Sequence, residues 1–280
     1  MPRLQPWLSP LAGLVLAGVL VGAAPSSLPL PLAQSLEGSL EAGKSRAYRA
    51  DLAAGRAFRA AVEQRGVDVE LAARGPDGRR IAVDSPFDRQ GTETLVVAPS
   101  TSGVWEITVT AREPAAPAGR YALRIDELPG DPGDPRRAAE EAMSRAGERY
   151  REGKAEARRQ ARAEYRRAAG EWRTAGERAQ EARALYAAAV LARLVDDTRE
   201  ALKGAVEVLP LWQALGDRLW EGATENEIGL DHWQLGDIAE ARSAFEQAVA
   251  IARRTGDRYG EGAALSNLCV SDLARGELKA

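Results

Sequence analysis

The chain has 280 residues, a formal charge of −3, and 28% charged against 45% hydrophobic side chains. That length accommodates about two domains of ~100–200 residues each, and so even a charge balance gives no global field for nucleic acid or anionic lipid. A lone cysteine, Cys269, and a lone histidine, His232, exclude an internal disulfide framework and a Cys/His metal cluster. The excess of arginine over lysine, with abundant alanine, fits GC-rich coding and a bacterial source.

Residues 1–23 read as a signal peptide. Arg3 precedes an apolar run from Leu11 to Val21 that is shorter than the ~20 residues of a membrane span. Val21-Gly22-Ala23 presents small residues for cleavage after Ala23, with Ala33 as the alternative site and an uncleaved anchor as the alternative fate. No cysteine follows for lipid attachment. The expected location is periplasmic or extracellular, and residues 24–35 read as a linker.

From 36 to 128 the pattern alternates with period two. Tyr48, Ala50 and Leu52 share a face, as do Phe58, Ala60 and Val62; Val67, Val69 and Leu71; Trp105, Ile107 and Val109; and Tyr121, Leu123 and Ile125. Gly75-Pro76-Asp77-Gly78 is expected to close a hairpin, with Pro76 presetting one turn dihedral and Gly78 tolerating positive φ. Seven or eight short strands so spaced predict a β-sandwich. Leu36-Glu37-Gly38-Ser39-Leu40, Val67-Asp68-Val69-Glu70-Leu71 before Pro76-Asp77-Gly78, Ser102-Gly103-Val104-Trp105 and Gly119-Arg120-Tyr121 resemble bacterial pre-peptidase C-terminal (PPC) domains. The resemblance implies a jelly-roll-like sandwich of the kind attached to secreted enzymes, some of which bind calcium or polymeric substrate. No calcium site is carried over. Asp68 and Asp77 lack the six or more oxygens a hard cation needs, and read as a solvent-facing strand residue and a turn former.

Residues 129–135, Pro129-Gly130-Asp131-Pro132-Gly133-Asp134-Pro135, form a linker, with Asp134 placed as N-cap and Pro135 as first helical residue. Residues 136–280 read as helical repeats. The stripe Met143, Ala146, Tyr150, then Ala161, Tyr165, Ala168 and Trp172 marks amphipathic helices. Their arginines interleave with Glu140, Glu141, Glu148, Glu152, Glu156 and Glu164, as on a solvated face and not a nucleic-acid surface.

A self-match at an offset of 40 residues follows: Gly216-Asp217-Arg218, Glu221-Gly222-Ala223 and Gly236 recur as Gly256-Asp257-Arg258, Glu261-Gly262-Ala263 and Gly276. Ile228-Gly229, Gly236-Asp237, Ala241, Phe245 and Ala248 then resemble the tetratricopeptide (TPR) signature. Small residues let antiparallel helices approach and large ones fill between them. Glycine ends one helix in the left-handed region, and aspartate caps the next. In this register Cys269 is the counterpart of Gly229, and His232 takes an aromatic slot. Both read as packing residues and not as a catalytic dyad, which also needs an orienting group and an oxyanion site.

The fold class is thus multidomain β + α, a PPC-like jelly-roll sandwich followed by an α-helical TPR solenoid. The expected site is the concave groove, where Asn226, Leu230 and Trp233 of one inner helix and Ser266, Asn267, Val270 and Leu273 of the next offer apolar anchoring and amide hydrogen bonds to an extended peptide. Leader, sandwich, linker and repeats together resemble the N-terminal part of exported CHAT (caspase-like) peptidase proteins, although no peptidase motif is present to carry over. The expected function is a non-catalytic protein-interaction scaffold of the cell envelope, a fragment of a larger protein, with peptide or protein partners and no cofactor, metal or nucleic acid. The alternative is a surface module whose sandwich binds polysaccharide or matrix protein while the repeats act as spacer. The last repeat is incomplete, so an uncapped apolar end predicts self-association.

Overall fold

The computed structural model describes residues 27–113 and 117–275, with the side chains of 273–275 left out. The leader read from residues 1–23 lies outside the described residues. The strands are β1 (Leu28–Pro29), β2 (Ser35–Leu40), β3 (Ser45–Leu52), β4 (Phe58–Arg65), β5 (Val69–Arg74), β6 (Arg80–Val83), β7 (Gln90–Val97), β8 (Gly103–Ala111) and β9 (Gly119–Glu127). They build one sheet in the order β1-β3-β8-β5-β6 and a second in the order β2-β9-β4-β7. Leu28 of β1 lies parallel to β3 opposite Tyr48, so the sheet takes in part of the segment read as a linker.

The five period-two faces meet between the sheets. Tyr48, Leu52, Phe58, Val62, Val69, Leu71, Ile107, Tyr121, Leu123 and Ile125 are all buried in one core, each such aliphatic or aromatic side chain contributing ~1.5–3 kcal/mol on burial. The Tyr48 and Tyr121 hydroxyls meet at 2.6 Å and join the sheets, satisfying two polar groups that burial would otherwise leave unpaired. The turn at 75–78 closes β5 and β6 as expected: the Gly78 N–H donates to the Gly75 carbonyl at 3.0 Å, Gly78 has φ +81°, and Asp77 accepts from the Arg79 N–H. Asp68 departs from its expected role. It is half-buried, one carboxylate oxygen is enclosed without a hydrogen-bond partner, and burial together with nearby Asp84 and Asp88 lifts its carboxyl to about 7.

The helices are α1 (Pro135–Arg151), α2 (Ala155–Thr174), α3 (Arg178–Arg193), α4 (Thr198–Leu215), α5 (Arg218–Leu235), α6 (Ile238–Thr255) and α7 (Arg258–Arg275). Each packs on its neighbour in sequence, and α5 also touches α3 and α7, the stacking of a repeat solenoid. Asp134 caps α1 by accepting from the Arg136 N–H, with Pro135 in the first turn. Gly216, Gly236 and Gly256 end α4, α5 and α6 at φ between +69° and +86°, a conformation glycine adopts without steric cost. Asp217 accepts from the Trp220 N–H and Asp257 from the Gly260 N–H, as capping requires. Asp237 differs, making no side-chain cap bond; its carboxylate lies 3.2 Å from His232 Nδ1 instead. Gly229 shows why the small position exists, because a Cβ there would overlap the Phe245 ring of α6. Its counterpart Cys269 is exposed among the described residues.

The halves are not beads on a string. Helix α1 lies on β6 and β7. Its Ser144 hydroxyl accepts from the Val96 N–H at 2.9 Å, Glu140 sits 2.8 Å from Arg59, and Arg151 meets Glu70 at 2.7 Å. Gly147 makes the approach close, since a Cβ would stand 2.9 Å from that of Val83.

Candidate functional site: a cleft between the sandwich loop and the helical groove

The loop joining β6 to β7 runs Asp84-Ser85-Pro86-Phe87-Asp88-Arg89. Phe87 leaves the sandwich altogether. Only 4% exposed, it belongs to the core of the helices, with ring centroids 6.4 Å from Tyr165 of α2, 6.5 Å from Tyr186 of α3 and 5.6 Å from Trp220 of α5. Trp220 meets Tyr186 edge-on at 5.0 Å and stacks on Trp212 at 5.5 Å. Offset and edge-to-face pairs of this kind add ~0.5–1.5 kcal/mol each beyond area burial.

The next loop residues reach further along the array. The Arg89 guanidinium lies over the Tyr259 ring of α7, 4.8 Å from its centroid, and the Gln90 amide donates to Asp257 at 3.4 Å. Between this loop and helices α5, α6 and α7 remains a cleft of about 110 Å3, open to solvent. Phe87, Trp220 and Tyr186 form apolar wall, while Asp88, Asn226, Glu227 and Asp257 bring polar groups to it.

The anchor of the loop is a buried acid network. Glu93, on the core side of β7, is 1% exposed and accepts from the Ser85 hydroxyl and from the Gln64 amide. Burial first, then the neighbouring Asp84, pushes its carboxyl well above the usual range. Burial likewise raises Asp84 to about 6, against the pull of Arg112 at 3.2 Å. These groups fix the stem of the loop by hydrogen bonds that a protonated carboxyl can donate as well as accept. Among the described residues no group of three or more His, Cys, Asp or Glu is arranged to hold a metal ion.

The seven groove residues expected from sequence fall in different settings. Asn226 lines the cleft and accepts from the Asn267 amide at 2.9 Å, which ties α5 to α7. Leu230 and Trp233 are half-buried further along α5 and do not line the cleft. Ser266 and Val270 are exposed on α7, and the Leu273 side chain lies outside the described residues. Phe87, Asp88, Arg89, Trp220 and Tyr259 line the cleft without having been singled out. Their one signal was an apolar aromatic within a Ser-Pro-Phe-Asp loop, where a sandwich turn has no use for it. His232 is engaged with Asp237 and Cys269 is exposed; no contact joins the two.

No protein of curated function matches the chain. Among solved structures, BtubC (BKLC) from P. vanneervenii is 17% identical with a TM-score of 0.45, the match covering 50% of this chain and 57% of that one. A putative kinesin light chain with TPR-like repeats from Podosopora anserina is 16% identical with a TM-score of 0.44 over 50% of this chain and 68% of that one. The pre-peptidase C-terminal domain of collagenase from Bacillus anthracis is 14% identical with a TM-score of 0.31, over 36% of this chain and 96% of the domain. The chain thus spans little more than half the length of BtubC. Residues 184–254, from α3 to α6, match the tetratricopeptide repeat family.

Proposed function

We propose that the chain is a non-catalytic protein-interaction scaffold of the bacterial cell envelope, which captures a peptide or protein segment along α5 and α7. The observation that supports this reading is the cleft itself. The sandwich loop fills the groove at α2, α3 and the start of α5 with Phe87, and leaves open the stretch where Asn226, held by Asn267, presents its amide beside apolar wall. Extended segments dock in such grooves through side-chain anchors and hydrogen bonds to their backbone. Export through residues 1–23, kinship with CHAT peptidase proteins and self-association through the α7 face, where Leu265 and Val270 are exposed, belong to the same proposal.

The test is site-specific photo-crosslinking of the full chain in bacteria. A crosslinker at Asn226 is expected to yield a discrete protein adduct in the envelope fraction, whereas one at Val104, 50% exposed on the sandwich, is expected to yield none. An adduct at Val104 alone refutes groove capture and favours the sandwich as the binding element.

A further inference from the structure

The cleft carries an unmatched negative charge. The guanidiniums that line it are already committed, Arg218 to Glu221 at 2.5 Å and Arg89 to Glu113. Asp88 has no such direct partner. Its carboxylate makes no hydrogen bond or ion pair with any described residue, although it lines the cleft beside Arg89. Its backbone stands at φ +48°, a conformation uncommon for a non-glycine residue but open to Asp and Asn. Asp88 is exposed at one side, yet the atoms crowding its carboxylate, and after them Glu113, raise the group above the ordinary range against the longer-range pull of Arg89 and Arg193. A cation brought beside it would relieve that penalty.

The walls suit the same occupant. Tyr259, 46% exposed, already holds the Arg89 guanidinium against its ring and offers surface against which an aliphatic stem packs, while Phe87 and Trp220, each 4% exposed, bring only their rims to the cleft. Aromatic rings flanking an unpaired carboxylate attract an ammonium or guanidinium by charge and by the ring quadrupole together. An acidic or neutral polar side chain finds no free donor of charge there, because every arginine that lines the cleft is spoken for.

We infer that the cleft is a subsite for one basic side chain, Lys or Arg, of a partner peptide, with Asp88 as its counter-charge and the exposed Tyr259 ring as the surface for its stem. The inference rests on the reading of the groove as a peptide-capture surface and adds to it the class of residue selected. Trp220 and Phe87 are core residues whose removal disturbs the fold, so the discriminating variant is Asp88→Asn, which keeps the shape, tolerates the positive φ and deletes the charge.

A random-peptide library displayed on phage, panned in parallel against the full wild-type chain and Asp88→Asn, reads this directly. Peptides selected on the wild type are expected to share a Lys or Arg flanked by apolar residues. Their enrichment is expected to fall by at least about tenfold on Asp88→Asn, the effect of losing one charge-assisted hydrogen bond, with thermal melts of the two proteins superimposable. A recovered motif without Lys or Arg, or one equally enriched on the variant, overturns the basic-residue assignment and leaves peptide capture standing. Recovery of no common motif overturns both.

Discussion

Replacing Phe87 by alanine tests the coupling of the two halves of the molecule. The side chain is 4% exposed and fills a space bounded by Tyr165, Tyr186 and Trp220. Truncating a buried phenylalanine costs about 3–5 kcal/mol, since the lost transfer energy is joined by a cavity the surroundings only partly fill. The three ring partners are themselves anchored by packing on Trp212 and α2, which limits collapse and places the cost in the upper half of that range. For a chain of this size the melting temperature falls by on the order of 10 °C. The assay is equilibrium urea unfolding followed by tryptophan emission, which sees Trp105 in the sandwich and Trp212 and Trp220 in the helices. In Phe87→Ala the single transition is expected to split or to broaden, as the sandwich and the repeats lose their shared core. Phe87→Leu keeps much of the volume and loses less. A loss in Phe87→Ala of under about 1 kcal/mol, far below the cost of emptying a buried phenylalanine site, refutes the claim that the loop residue belongs to the helical core.

Two helix glycines, Gly229 of α5 and Gly262 of α7, separate packing from propensity. Gly229→Ala drives a methyl into the Phe245 ring, and overpacking costs ~1–3 kcal/mol, only partly offset by alanine's better helix propensity. Gly262→Ala meets nothing within 4 Å and is expected to stabilise by up to ~1 kcal/mol; both are read by urea midpoints, and equal effects of the two would contradict the packing assigned to α5. The pH dependence follows from the buried acids. Burial lifts Asp68 to about 7, Asp84 to about 6 and Glu140 to about 7, and Glu93 upward as well. Their native carboxyls thus hold protons that the unfolded chain releases near pH 4. That contribution is complete below the unfolded values and is lost as pH rises through 6 and 7, so the melting temperature is expected to fall between pH 5 and pH 8. Glu93→Gln, which preserves the bonds to Ser85 and Gln64 without a charge, is expected to flatten that slope and raise the melting temperature at pH 8; an unchanged slope would show that the Glu93 carboxyl is not raised in the folded chain. Burial opposes ionisation of Glu70 too, but hydrogen bonds from Arg151 and Arg80 outweigh it and hold its carboxyl low, so its opposite effect appears only in more acidic solution.

Strands β3, β4, β5, β8 and β9 were legible because each has one apolar face of period two, and all five faces reach the same core. Strand β7 was not. Its core side carries Glu93 before Leu95 and Val97, while Thr94 on the other side is buried by α1, so neither face shows a clean alternation. The helices and their glycine stops were legible because the repeat doubles each signal. Asp237 stands at the N-cap of α6 as expected but without the cap bond, because capping chemistry cannot see the histidine five residues back that competes for its carboxylate. The cleft was half legible. The register identified Asn226 and Asn267, which do meet, but the opposite wall comes from a loop some 135 residues earlier in the chain, and no local pattern says that Phe87 belongs to another domain's core.

Repeat arrays ordinarily touch only their neighbours, so units can be added or removed with little consequence elsewhere. Here the sandwich grips α1, the first of the described helices, through Val96 and Ser144, and also α7, six helices on, through Arg89 and Gln90. The sandwich is a chord drawn across the arc of helices, and the chord has a fixed length. An inserted or deleted helix pair would change the arc without changing the chord, so the number of repeats beneath the sandwich is set by geometry and is not free to drift.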